Sequence, residues 1–136
     1  MKTLILFYSY SGKTKAIAQK FAAKESADTA EIKDLKRPGK LKAYIARIIA
    51  VMRNKSWPIQ PLSIDLAAYD RIILLAPVWA GNPPPPVKST LELLPKGKTV
   101  AVKMVSMSGK SDCRERLETA MKARGCTLEG IEDIKA

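Results

Sequence analysis

The sequence predicts a single α/β domain over residues 1–136: a parallel sheet with helices packed on its faces. Leu4-Ile5-Leu6-Phe7-Tyr8 and Ile72-Ile73-Leu74-Leu75-Ala76 are continuous apolar runs, the pattern of strands buried on both faces. Stretches of this kind alternate along the chain with amphipathic stretches of helical period, which implies βαβ units and right-handed crossovers. A chain of 136 residues, 46% hydrophobic and 27% charged, has enough apolar surface for one core and not for two.

Leu4–Tyr8 is the expected first strand and Ser9–Thr14 the polar turn that leaves it. From Lys13 to Lys24, Ala16, Ile17, Phe21 and Ala22 fall near helical spacing. Thr29–Leu35 is a short alternating strand, and Pro38-Gly39 breaks the chain after it. From Lys40 to Arg53, Leu41, Ile45, Ile48, Ile49 and Met52 share one face, with Lys40, Lys42, Arg47 and Arg53 elsewhere. A basic amphipathic helix of this kind can dock on a membrane. A crossover helix lying on the sheet needs the same stripe, and that is the expectation here. Residues 56–65, with Trp57, Pro58 and Pro61, form an irregular segment longer than a simple connection requires.

Arg71–Ala76 is the third strand and leads into Pro77-Val78-Trp79-Ala80-Gly81-Asn82. Prolines 83–86 end that loop, and a short helix is expected over Val87–Leu94. Thr99–Val105 is the fourth strand, followed by the small-residue loop Ser106-Met107-Ser108-Gly109. Asp112–Arg124 reads as a helix stopped by Gly125, and Leu128–Ile134 as a weak fifth strand. Ligands of open parallel sheets sit beyond the carboxyl ends of the strands, which singles out the loops 9–14, 77–82 and 106–111.

The chain is strongly basic, with 24 Lys and Arg against 13 Asp and Glu and a formal net charge of +11. Such a field attracts phosphorylated ligands, anionic lipid, nucleic acid or an acidic protein partner. The basic residues are spread from Lys2 to Lys135, so nucleic-acid binding is not the expectation. The sequence has no histidine, which excludes a histidine-based triad and a histidine-containing metal site. Cys113 and Cys126 have no CxxC spacing and would stand at the two ends of one helix, too far apart for a disulfide, so they read as reduced thiols. The apolar run at the amino end lacks a small-residue cleavage site, and no run reaches transmembrane length. A soluble cytoplasmic protein is expected.

Ser9-Tyr10-Ser11-Gly12-Lys13-Thr14 joins a buried strand to a helix. Three hydroxyls, the free N–H groups of a helix start and the helix dipole together make a cradle for phosphate. Gly12 allows the tight turn around the anion. A Walker A loop would need another glycine five positions before Gly12, where Phe7 stands. The pattern Ile5-Leu6-Phe7-x-Ser9-x-x-Gly12-x-Thr14-x-x-x-Ala18 resembles the signature of the flavodoxins, departing from it at Phe21. That resemblance implies a three-layer sandwich on a five-stranded sheet of order 2-1-3-4-5, with flavin mononucleotide (FMN) held by its phosphate in this loop.

Tyr69-Asp70-Arg71-Ile72-Ile73, followed by Ala76–Gly81, is also similar to flavodoxin-like proteins. There the loop after the third strand runs beside the isoalloxazine ring. Trp79 would offer a flat stacking face, and the backbone of Ala80–Asn82 could meet the ring's polar edge; a core tryptophan is the alternative. By position Ser106-Met107-Ser108-Gly109 resembles the third binding loop, but without the stacking tyrosine many flavodoxins have. Met107 could pack on the ring edge or in the core, and Tyr10 or Trp57 could supply a second aromatic. The implied cofactor site is Ser9, Tyr10, Ser11, Gly12, Lys13 and Thr14, then Pro77–Asn82, then Ser106–Gly109. Lys110, if close to the ring, should raise the reduction potential.

The chain also departs from typical flavodoxins in being basic, and in having only Lys135 and Ala136 after the last strand, where those proteins carry a further helix. An uncovered apolar sheet face, and with it a homodimer or partner contact, is therefore expected. The functional expectation is electron transfer through FMN to a redox partner protein, acidic by charge complementarity, or to a small acceptor. The alternatives are an NAD(P)H-dependent FMN or quinone reductase, for which no GxGxxG motif is present, and a binding module for anionic partners with a degenerate flavin site.

Overall fold

A computed structural model of the chain describes residues 2–10, 12–34, 41–55 and 57–136; Ser11, the Pro38-Gly39 breaker and Ser56 lie outside the described residues. Five strands, β1 (Thr3–Phe7), β2 (Asp28–Glu31), β3 (Arg71–Pro77), β4 (Thr99–Ser106) and β5 (Thr127–Lys135), form one sheet of order β2-β1-β3-β4-β5. All four pairings are parallel. The helices are α1 (Lys13–Glu25), α2 (Leu41–Met52), α3 (Pro85–Leu91) and α4 (Arg114–Ala123). This is the flavodoxin-like α/β architecture, with the strand order that the resemblance implied.

Alternation within the central strands divides the core in two. Leu4, Leu6, Ile72, Leu74, Val100, Val102 and Met104 pack against Val87 and Leu91 of α3 and Leu117 and Met121 of α4. Ile5, Phe7, Ile73, Leu75 and Ala101 pack against Ala18 and, around it, Ile17, Phe21 and Ala22 of α1. Pro85 and Pro86 open α3 rather than precede it. Pro84 is the N-cap, so the missing N–H groups belong to positions that have no intrahelical acceptor. The fifth strand, weak in sequence, runs nine residues, and a register shift between Val100 and Ala101 explains its broken alternation.

Two expectations about the sheet faces need correction. The first concerns α2, which packs on α3 and contributes no residue to either core cluster among the described residues. From the irregular segment that follows it, Ile59, Leu62 and Ile64 do pack on the core. That segment is tied at both ends. Trp57 donates its N–H to Ser89 Oγ (2.8 Å), and Gln60 donates to Lys33 O (2.8 Å). Cations hold the carboxyl end of α2, Arg116 donating to Val51 O at 2.7 Å and Lys88 Nζ to Asn54 O.

The second is the face over β4 and β5, which is charged rather than apolar. Lys103 lies across Phe21 of α1, its ammonium 4.7 Å from the ring centroid, and pairs with Glu132 of β5 at 2.6 Å. Its side chain is 14% exposed, so its methylenes cover the strand while the head reaches water. Arg71 makes a two-pronged contact with Glu129 (2.9 and 2.7 Å) and reaches Glu25 of α1 at 3.3 Å. The apolar surface on which the dimer expectation rested is therefore not on this face.

The hydrogen bonds from Arg71 hold the Glu129 carboxyl below its ordinary value. A carboxylate depressed in the folded state adds stability above its unfolded pKa, and that stability is lost as pH falls through the folded value. Glu129→Gln should therefore cost at most about 1 kcal/mol at neutral pH, since the pair is solvent-screened. The difference from wild type should shrink as pH falls below the ordinary Glu value of about 4.3 and vanish only below the depressed folded value. Denaturant melts of both proteins across that range check this.

Candidate functional site

Parallel register brings the loops after β1, β3 and β4 to one edge of the sheet, with Phe7 opposite Leu75 and Pro77 opposite Val105. In the first loop Ser9 Oγ accepts the N–H of Gly12 at 3.0 Å, closing the turn. Gly12 is the N-cap of α1, with φ 93° and ψ −12°, a region that side-chain-bearing residues avoid. A Cβ there would meet no atom within 4 Å, so the space it faces is open. The first intrahelical bond runs from Ala16 N–H to Gly12 O (3.1 Å), which leaves the N–H groups of Lys13, Thr14 and Lys15 without an acceptor inside the helix. Thr14 is buried and Lys13 exposed.

In the second loop Trp79 and Asn82 exchange backbone hydrogen bonds of 2.8 and 3.0 Å around a two-residue turn. Both central residues have positive φ, 50° at Ala80 and 81° at Gly81, the geometry of a type I′ turn. Asn82 Nδ2 donates to Ala80 O at 3.1 Å. The loop is fastened to its neighbours by Val78 N–H to Val105 O (3.1 Å) and by Asp112 N–H to Gly81 O (2.7 Å). Alanine in the left-handed region is strained, so Ala80→Gly should raise stability by about 0.5–1 kcal/mol. Thermal denaturation should show a Tm higher by a few degrees, and a lower Tm would contradict the turn geometry.

In the third loop Ser106 Oγ accepts the N–H groups of Gly109 (3.0 Å) and Lys110 (3.2 Å), while Met107 is 77% exposed and so is not a core residue. Its backbone is anchored by Ala136 N–H to Ser106 O at 2.8 Å. Pro77, at the end of β3, and Val78 are half-buried.

Trp79 connects the first two loops. Its ring meets Tyr10 edge-on at 5.8 Å and 79°, and Tyr8 edge-on at 6.0 Å and 81°. Tyr8 is buried, and its hydroxyl donates to Asp34 Oδ2 at 2.8 Å. Tyr10 rather than Trp57 is thus the second aromatic beside Trp79, since Trp57 is held by Ser89 on α3. Sequence reasoning missed Tyr8, Asp34 and Asp112. Tyr8 ends an apolar run and looked like core. The sequence pattern predicts helix from Asp112, whereas α4 begins at Arg114 and leaves the Asp112 N–H to brace Gly81 O. A cleft of ≈ 870 Å³ between the end of α2, α3 and α4 reaches these loops at Asn82 and Asp112. The loops themselves form an open rim.

An uncapped helix start beside an open glycine turn suits a phosphate, and an aromatic cluster one loop away suits a planar ring; the residues present fit FMN. Fold and loops together define a flavodoxin-like, FMN-binding protein. Residues 1–129 match the family of NADPH-dependent FMN reductases, and the chain belongs to that family. A flavoprotein of Lactobacillus acidophilus, crystallised in complex with FMN, is 29% identical, with 96% of this chain and 91% of that one aligned at a TM-score of 0.74. The apo form of the L. acidophilus flavoprotein, solved by NMR, gives 27% identity, coverage of 97% and 92%, and a TM-score of 0.72. Oxidised flavodoxin 1 of Bacillus cereus shares the fold at 21% identity, coverage of 100% and 86%, and a TM-score of 0.55. No curated protein matches the chain.

Proposed function

We propose that the protein is an FMN-dependent oxidoreductase that takes electrons from a reduced nicotinamide dinucleotide and delivers them to a second acceptor. The observation that carries this reading is the match of residues 1–129 to the NADPH-dependent FMN reductases. In the proposed site Ser9, Ser11 and Thr14, with the N–H groups at the start of α1, hold the phosphate. Gly12 keeps the turn open, and Lys13 adds positive charge at its rim. Trp79 and Tyr10, in edge contact with each other, supply the aromatic surface beside the ring, with the backbone of Pro77–Asn82 along one edge and Ser106–Gly109 along another. FMN bound there supplies chemistry that no side chain of this chain supplies: acceptance of two electrons and their release singly or as a pair. The protein's part is to bind, orient and set the field. A net charge of +11 suits the approach of a dinucleotide's phosphates.

A simple electron carrier is the second reading. Exposed Tyr10 (42%) and Met107 (77%) at the rim favour it, because they suit contact with a partner protein. Steady-state NADPH oxidation by the FMN-loaded protein, with a soluble quinone as acceptor, separates the two. The reductase reading expects continuous, saturable turnover. A rate no greater than that of free FMN would overturn it in favour of the carrier.

A further inference from the structure

α2 carries an apolar stripe that no described residue fully covers. Ile45 is 51% exposed, Ile49 44% and Met52 70%, and their spacing of four and three residues puts them on one face of the helix. Ala50 and Val51 turn inward, and Ile48 is half-buried. Elsewhere in the described chain the exposed large apolar side chains are Tyr10 and Met107 at the loop rim and Leu93 beside Trp57, Pro58 and Ile59. Ile45, Ile49 and Met52 are therefore not scattered surface residues but a stripe along one helix.

The charge around the stripe has a single sign. Residues 36–55 contain Lys36, Arg37, Lys40, Lys42, Arg47, Arg53 and Lys55, and no Asp or Glu. Arg53 and Lys55, just beyond the end of the helix, are exposed. An exposed apolar helix face in a stretch of sequence whose only charges are cationic is the pattern of helices that lie in the plane of an anionic bilayer. The charge argues against a second copy of the chain as the occupant. Two such segments brought together would put a formal charge of +7 against +7, with no carboxylate in either to offset it. No helix of the described residues is long and apolar enough to cross a membrane, so the contact would be with the surface.

We propose that α2 docks the protein on an anionic lipid surface, with Ile45, Ile49 and Met52 inserted at the headgroup boundary and the exposed Arg53 and Lys55 against the phosphates. This does not depend on the flavin reading. If both hold, the rim of the site lies near the bilayer, because Val51 and Asn54 line the same cleft as Asn82 and Asp112.

Flotation of the full chain with phosphatidylcholine–phosphatidylglycerol vesicles, and with phosphatidylcholine alone, tests it. Binding is expected to the anionic vesicles only, and to weaken with added salt. The double variant Ile45→Ser/Ile49→Ser should bind about tenfold or more weakly, because the inserted apolar area is lost. Both sites are solvent-facing, so its far-UV circular dichroism should match wild type. The proposal is overturned if wild type does not float with anionic vesicles, or if the double variant floats equally well. A dimer in sedimentation velocity that the double variant abolishes, in protein that binds no vesicles, would assign the stripe to a second copy instead.

Discussion

Replacing Gly12 by valine should weaken FMN binding by about a hundredfold, while costing the fold about 1–3 kcal/mol. The two effects have separate origins. The stability loss comes from the backbone: φ is 93° at Gly12, and a β-branched residue is the least tolerant of that region. It does not come from a clash, because a Cβ at Gly12 has no neighbour within 4 Å. The binding loss comes from moving the turn. Relaxation of residue 12 would break the Ser9 hydroxyl contact with its N–H and reorient the free N–H groups at the start of α1. It would also place methyl groups in the open space that the phosphate is proposed to fill. Gly12→Ala, without the second branch, should fall between. Melting and FMN titration of both variants check this. Loss of stability with unchanged affinity would remove the loop from the site.

The second large effect is expected at Trp79. Trp79→Ala should lower FMN affinity by about ten- to a hundredfold, the range seen when an aromatic platform is taken from a stacked heterocycle. It also removes the edge contacts with Tyr8 and Tyr10 that join the first loop to the second, each about 0.5–1.5 kcal/mol. Part of the affinity loss would then come from looser loops. Trp79→Phe keeps an edge and a face, and should recover most of the stability but only part of the affinity. Equal affinities for all three proteins would make Trp79 a packing residue and nothing more. The test is informative because Trp79 is half-buried, accessible from the rim yet anchored by Tyr8 beneath it.

What could be read in the sequence follows from how local each signal is. The strand at Leu4 and the glycine turn at Gly12 are local, since an apolar run and a hydroxyl-rich helix start carry their own instructions. The strand order came from the resemblance, and the sheet has that order. The position of α2 was not legible. A stripe of Leu41, Ile45, Ile48, Ile49 and Met52 says that one face is apolar, not which surface meets it. Here the following segment brings Ile59, Leu62 and Ile64 to the core, leaving Ile45, Ile49 and Met52 outward. The charged cover over β4 and β5 was also out of reach. Lys103 and Glu132 are 29 positions apart, and only the parallel register of β4 with β5 makes them partners. In the candidate site the loops could be located from the strand ends, whereas the bracing of Gly81 by Asp112 depends on α4 starting two residues later than its pattern suggests.

The most direct test of the site is a fluorescence titration of FMN with the purified protein, run in parallel on wild type and Gly12→Val. One FMN per chain, quenched and saturable in wild type and about a hundredfold weaker in the variant, is the predicted result. Binding of equal strength and stoichiometry in both proteins would contradict the assignment and move the cofactor away from the loops after β1, β3 and β4.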